Sequence, residues 1–331
     1  MPDAPSSALD RRALLLGAAG LGLGCAADKA RGSASDSAGG AADSGEGDAG
    51  ADIFGAPGPL LDPEGAGLPH RQGDPAWGDQ LMWDRDLVIR ADTELNGNPP
   101  AHARSLLRRF ASGNTIRHEG CMLCCLSMVL RLFDPRPPAA WDPGLLNERA
   151  QNRYYYTLAG VSLTTLYADL VAELSQGEVQ LTLKEEHLPG MPRWTPLRAS
   201  ASPLLRAYRG LSPAQRADCL VMVKTGTYSD VVASHYALIH PNEEAGPDED
   251  DVQLLDPAVP VRQTGAWRLS DSAAWICQDP AIAEGWRQEG VGPLDIGGIW
   301  VFIRRRADGD GLSRGPLVRA WAAELARAAG A

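Results

Sequence analysis

Between Cys121 and Phe133 apolar residues recur at helical spacing on two faces at once. Leu123, Leu126, Leu130 and Phe133 make one face, and Met122, Cys125, Val129 and Leu132 make the other. A helix with no polar side has nothing to offer water, so this pattern predicts a buried helix. It begins after Gly120 and is stopped by the prolines of "DPRPP" at Asp134. A shorter helix is predicted in "PAHARSLLRRF", with Pro100 in its first turn. An amphipathic one is predicted in "GVSLTTLYADLVAELSQG", closing on Gly177, and a last one in "GPLVRAWAAELARAA". Between them the period changes to two. "VQLTL", "CLVMVKT", "HYALIH", "VQLLDP" and "GIWVFIRR" read as strands, and "RQGDPAWGDQLMW" as a turn-rich loop or edge segment. Helices come first, then a run of strands without helical crossovers. That order points to an antiparallel α+β arrangement, with the buried helix packed on the sheet, rather than to a doubly wound one.

The patterning does not extend to the start of the chain. Arg11 and Arg12 precede a short Leu/Ala/Gly stretch that ends at Cys25. It is too short and too rich in glycine for a spanning helix and reads as an export signal over residues 1–25, resembling a twin-arginine signal. The Gly24-Cys25 junction resembles a bacterial lipoprotein processing site. Two expectations follow: export to the periplasm or the cell envelope, and a membrane contact only through a lipid on Cys25. Residues 26–66 are Gly, Ala, Ser and Asp with few bulky apolar side chains, a composition that cannot offset its own ordering entropy, and are expected to form a flexible acidic tether. The folded body is placed at 67–331. Net charge is −11, and no basic stripe appears of the kind that nucleic acid requires.

With Cys25 assigned to the signal, Cys121, Cys124, Cys125, Cys219 and Cys277 are left, an odd set in which at least one thiol has no intramolecular partner. A Cys219–Cys277 disulfide is possible on spacing. Cys121 lies where the buried helix begins, so the helix dipole favours its thiolate, and Gly120 lets other backbone come close. A cysteine hydrolase also needs a base and a group that orients the base. His235 opens an apolar strand, and Asp256 ends the next one, where Pro257 stops the ladder. Two antiparallel strands joined by "PNEEAGPDEDD" bring those two residues to the same edge of the sheet. His240 is expected on the opposite face of its strand.

Other readings of the same residues stay open. His118, Cys121, Cys124 and Cys125 offer metal-ligand types, but consecutive helical positions diverge by about 100°. Cys121 and Cys124 are spaced as a redox pair, without a surrounding βαβ context. Cys124 and Cys125 read most simply as core residues. Glu243, Glu244, Asp248, Glu249, Asp250 and Asp251 are either a calcium-binding loop or, on the simpler view, a solvated hairpin tip. "DGDGLS" at Asp308 reads as a turn.

Taken in order, "QGDPAWG", "NTIRHEGC", "GCMLCCLSMVL", "LLNERAQNRYYYTLAGVSLTTL", "SHYALI" and "LLDP" resemble the papain-like cysteine peptidases of the C-thirty-nine type. The closer likeness is to domains of that type that are not attached to a transporter, and it covers Arg71 to Pro257. The resemblance implies a papain-like fold and a peptide or protein substrate, with no cofactor and no metal. It implies Cys121 as nucleophile, His235 as general base and acid, Asp256 as the residue that orients the imidazole, and Gln72 as an oxyanion-hole donor. Gln80 competes for that last role, because "WDRDLVIRADTELNGNPPAHARSLLRRFASG" is inserted between Gln72 and the nucleophile. Met122 stands where many relatives carry glycine. The expectation is an exported hydrolase of peptide or related amide bonds. An inactive binding or scaffolding domain and an acyltransferase using the same triad are the alternatives.

Overall fold

Alternation along the strands sorts the side chains of one sheet into two hydrophobic cores. Leu220 and Met222 of one strand face the first core, and Val221 and Val223 the second. On its neighbour, Tyr236 and Leu238 face the first, and Ala237 and Ile239 the second. The computed structural model describes residues 60–64, 66–107, 115–134, 141–152, 156–159, 162–165, 167–186, 198–225, 235–243, 249–260, 267–304 and 315–328. The expected signal over 1–25 lies outside them, as does the expected tether as far as residue 59.

Among the described residues six helices come first: α1 (Arg85–Asn96), α2 (Pro100–Leu107), the single turn α3 (Ile116–Glu119), α4 (Cys121–Phe133), α5 (Pro143–Asn152) and, after a two-stranded ribbon of β1 (Tyr156–Ala159) and β2 (Ser162–Thr165), α6 (Tyr167–Leu174). Then come β3 (Val179–Glu186), α7 (Pro203–Arg209), α8 (Pro213–Arg216), β4 (Cys219–Thr225), β5 (His235–Ile239), β6 (Gln253–Leu255), β7 (Trp267–Arg268), α9 (Leu269–Ile276), α10 (Pro280–Glu289), β8 (Ile296–Arg304) and α11 (Pro316–Ala328). The main sheet runs β3-β8-β4-β5-β6-β7, and every neighbouring pair is antiparallel. The protein is therefore α+β, as the order of the patterns suggested. No helix among the described residues is long and apolar enough to cross a membrane.

The first core lies between one sheet face and α1, α2, α4, α5 and α6, with α4 along β5. From Leu123 to Phe133 every residue of α4 is buried, Cys124 and Cys125 included. Burial of each large apolar side chain contributes about 1.5–3 kcal/mol, which holds the helix, and Cys121 at its tip, against the sheet. The second core is closed by Leu204, Leu205 and Tyr208 of α7, Leu269 of α9, and Leu317 and Val318 of α11.

Several expectations need correction. The segment from Gly160 to Gly177 is not one helix: Ser162–Thr165 is β2, paired with β1 in the register Leu158↔Leu163, and the helix starts only at Tyr167. Thr164 and Thr165 are β-branched and disfavour a helix, while β1 offers backbone partners. The strands are not free of helical connections either, since α7 and α8 separate β3 from β4, and α9 and α10 separate β7 from β8. The segment inserted before Cys121 contains α1, capped by the Asp84 carboxylate and closed by Gly97 in the left-handed region (φ 67°). The body also begins before residue 67. Leu60 packs on the first core, the Leu61 amide donates to the Leu132 carbonyl (3.1 Å), and Pro63 and Ala66 are buried. Leu60, Leu61 and Pro63 supply bulky apolar surface of a kind that residues 26–52 lack.

Candidate active site

The nucleophile candidate is placed by a junction of two helices. α3 ends and α4 begins at Gly120, whose amide donates to the Ile116 carbonyl at 2.8 Å. A Cβ on Gly120 would lie 2.4 Å from the Ile116 oxygen, so only glycine lets the turn fold back this closely. Cys121 follows as the first residue of α4. It is half-buried, whereas Cys124 and Cys125 are fully buried.

His235 and Asp256 reach one another through strand register. β5 and β6 pair Leu238 with Leu255 and Ile239 with Leu254. Continued by one step, that register sets Asp256 opposite Ala237 and diagonal to His235, within reach of a long side chain. The His235 Nε2 lies 2.6 Å from Asp256 Oδ1, which also accepts the Ala258 amide at 2.7 Å. With Nε2 committed to the carboxylate, Nδ1 is the nitrogen left for sulfur, and the Cys121 thiol lies within hydrogen-bonding reach of the ring. Burial alone depresses a histidine. Here the Asp256 charge and hydrogen bond, joined by Cys121, outweigh it and push His235 up to about 10. Asp256 is fully buried, which favours its neutral form, but its bonds to the imidazole and to the Ala258 amide hold the carboxyl below its ordinary range. The two shifts have the signs of one ion pair.

Gln72 is buried beside this pair. Its backbone amide donates to the carbonyl of Pro257, the residue after Asp256, at 2.9 Å, and its side-chain Nε2 donates to the Arg117 carbonyl at 2.8 Å. Gln80 is exposed, and its side chain lies against Gly144. Both competitors meet the turn before Cys121, Gln80 through its carbonyl, which accepts the Ile116 amide at 3.0 Å, but only Gln72 meets it with its side chain and also bonds to the residue after Asp256.

Three residues of the site's surroundings were not singled out from sequence. Arg117 donates from Nε and Nη2 to Asp79 Oδ1 (3.0 and 2.8 Å) and from Nη1 to the Gly73 carbonyl (3.0 Å). His70 is buried, with Nδ1 in a short hydrogen bond to the Ser127 hydroxyl of α4. Ser127 gives its own proton to the Trp141 carbonyl at 2.5 Å, so His70 must be the donor, protonated on Nδ1. Burial, and secondarily Arg131, lowers His70 to about 4 and keeps it neutral. Ser272 of α9 is fully buried beside Asp256 and favours its charge, although its hydroxyl is not aligned in a hydrogen bond with the second carboxylate oxygen. The available signal was a histidine two places before Gln72 and an arginine four places before Cys121. Neither has a pattern that separates it from a surface residue.

The remaining candidates lie elsewhere. His118 is exposed and bonded to Thr115 Oγ1 (2.8 Å), away from the buried Cys124 and Cys125, and no cluster of three or more metal-ligating side chains occurs among the described residues. No disulfide joins Cys219, in the second core, to Cys277, in a small cluster with Trp275, Ile282 and Val291. His240 is half-buried at the far end of β5, its amide donating to the Gln253 carbonyl at 2.9 Å. The acidic connection from β5 to β6 is neither a solvated tip nor a cation cage where it is described. Glu243 pairs with Arg209, Glu249 with Arg268, Asp250 accepts the Ser200 amide, and Asp251 accepts Ser270. Glu244, Asp248 and the "DGDGLS" turn lie outside the described residues.

No family model, curated protein or solved structure matches the chain, so the site's chemistry rests on its own geometry.

Proposed function

We propose that this protein is a cysteine hydrolase of papain-like fold, acting on peptide or related amide bonds. The observation that carries the reading is the position of His235, held on one side by Asp256 at 2.6 Å and facing the Cys121 thiol on the other. An imidazole kept protonated by a buried carboxylate stabilises a thiolate beside it, and the start of α4 adds the positive end of a helix dipole. The Cys121 sulfur attacks the carbonyl carbon, and the oxyanion is met by backbone amides at the head of α4 and by Gln72. His235 gives its proton to the leaving amine. Water then attacks the thioester, with His235 taking a proton, and the acid is released. Acyl transfer would differ only in the last acceptor, and product analysis separates the two. Export through residues 1–25, with Cys25 as a lipid site, belongs to the same proposal.

Labelling with iodoacetamide at neutral pH tests the central step. Cys121→Ala is expected to abolish rapid labelling, and Cys124→Ser and Cys125→Ser to retain it. His235→Ala should slow alkylation of Cys121 by at least tenfold. Rapid labelling that survives in Cys121→Ala would sink the reading in favour of a catalytically silent domain.

A further inference from the structure

Gln72 is held from two directions, and one arginine serves both. Its carboxamide has two N–H bonds. One goes to the Arg117 carbonyl at 2.8 Å, which leaves the other for a substrate oxygen. The contact also fixes which way the amide faces, because exchanging its oxygen and nitrogen would press two oxygens together at that distance. Arg117 is in turn wrapped by the turn that follows Gln72. Its backbone amide donates to the Gly78 carbonyl at 2.8 Å, its Nη1 to the Gly73 carbonyl at 3.0 Å, and its Nε and Nη2 to Asp79. Gly78 completes the wrap: a Cβ there would lie 2.9 Å from the Gln72 carbonyl oxygen and 3.2 Å from the guanidinium.

We propose that Arg117, braced by Asp79, is a positioning residue that aims the Gln72 side-chain amide at the oxyanion. The inference rests on the reading of Cys121 as the nucleophile. The Arg117–Asp79 pair is open to solvent, with side-chain exposures of 40% and 81%, so as an ion pair it adds little to stability. Its effect is geometric. A planar fork of donors serves Gly73 and Asp79 together, and lysine has no equivalent fork. Because Arg117 lies four residues before Cys121, on the turn that ends at Gly120, the clamp ties the donor to the element that sets the sulfur.

Two reactions of the same thiol separate aiming from folding. Iodoacetamide alkylates sulfur by displacing iodide, with no oxyanion. p-Nitrophenyl acetate acylates it: a sulfur–carbonyl bond forms through a tetrahedral oxyanion, and the carbon–oxygen bond then breaks, with p-nitrophenolate leaving with the electron pair. In Arg117→Met the acylation burst is expected to slow on the order of tenfold, while alkylation of Cys121 stays within about twofold of the unmodified protein. Gln72→Ala should show the same split, Arg117→Lys should not restore acylation, and the Arg117→Met/Gln72→Ala double variant should be no slower than Gln72→Ala alone. Asp79→Asn, at an exposed site that cannot disturb the core, should give a smaller loss of the same kind and keeps the test decisive if Arg117→Met fails to fold. Unchanged acylation in Arg117→Met and Asp79→Asn, a parallel fall of both reactions, or additive losses in the double variant would overturn the clamp and leave the nucleophile standing. Failure of iodoacetamide to label Cys121 in the unmodified protein would overturn both.

Discussion

Two buried histidines hold opposite charge states, because one faces a hydroxyl and the other a carboxylate. Burial lowers His70 to about 4, and its Ser127 partner offers nothing to offset that; Asp256 raises His235 to about 10. The linkage signs therefore oppose. A depressed histidine contributes stability above its ordinary value near 6.5, and that contribution is lost as pH falls toward 4. A raised one contributes below 6.5 and loses its contribution as pH climbs toward 10. For His70 the shift corresponds to about 3 kcal/mol once the pH is below both values. Thermal melts are expected to show a stability maximum near neutrality. His70→Gln should flatten the limb between pH 6.5 and 4, and Asp256→Asn should flatten the limb between 6.5 and 10. If both variants melted parallel to the unmodified protein at every pH, the assigned charge states would be wrong.

At the scale of elements, the connection from β5 to β6 shows what becomes of an acidic run once neighbours surround it. Glu243 and Arg209 are each 3% exposed in their side chains and lie 3.4 Å apart, and the Arg216 Nη1 donates to the Glu243 carbonyl at 2.8 Å. Burial raises the Glu243 carboxyl despite Arg209, so this long pair is no net gain over an apolar contact, but breaking it strands a charge. Arg209→Ala and Glu243→Gln are each expected to destabilise the protein by about 3–5 kcal/mol, read from denaturant unfolding, because each leaves the other member of the pair buried without its counter-charge. Added calcium should leave the melting temperature unchanged. A rise with calcium, or a neutral Arg209→Ala, would return this connection to the cation-binding reading. The hairpin of β5 and β6 was legible from its alternating pattern. The partners of its acidic loop were not, because Arg209, Arg268 and Ser200 come from elements distant in the chain.

For the whole molecule, the strand order is the least local property. β8 comes last of the strands and lies between β3 and β4, pairing with both along most of its length. The first described residues are similarly remote from what they touch, since Leu61 bonds to the end of α4. A chain beginning at Gly67 is expected to be about 1–2 kcal/mol less stable than one beginning at Leu60, a drop of a few degrees in melting temperature. Equal melting temperatures would show that these seven residues contribute nothing to the body. The sequence by itself determined the buried helix behind Cys121, the strands that carry His235 and Asp256, and the α+β class. Each of these follows from a local period of apolar residues, and a period needs no distant partner to be read. Tertiary structure alone decided that β8 joins β3 to β4, that residues 162–165 leave a helix for a ribbon, and that the side chain of Gln72 rather than that of Gln80 bonds to the turn before Cys121. Those outcomes are choices among contacts between residues far apart in the chain, where several pairings satisfy the same local pattern and only simultaneous packing selects one.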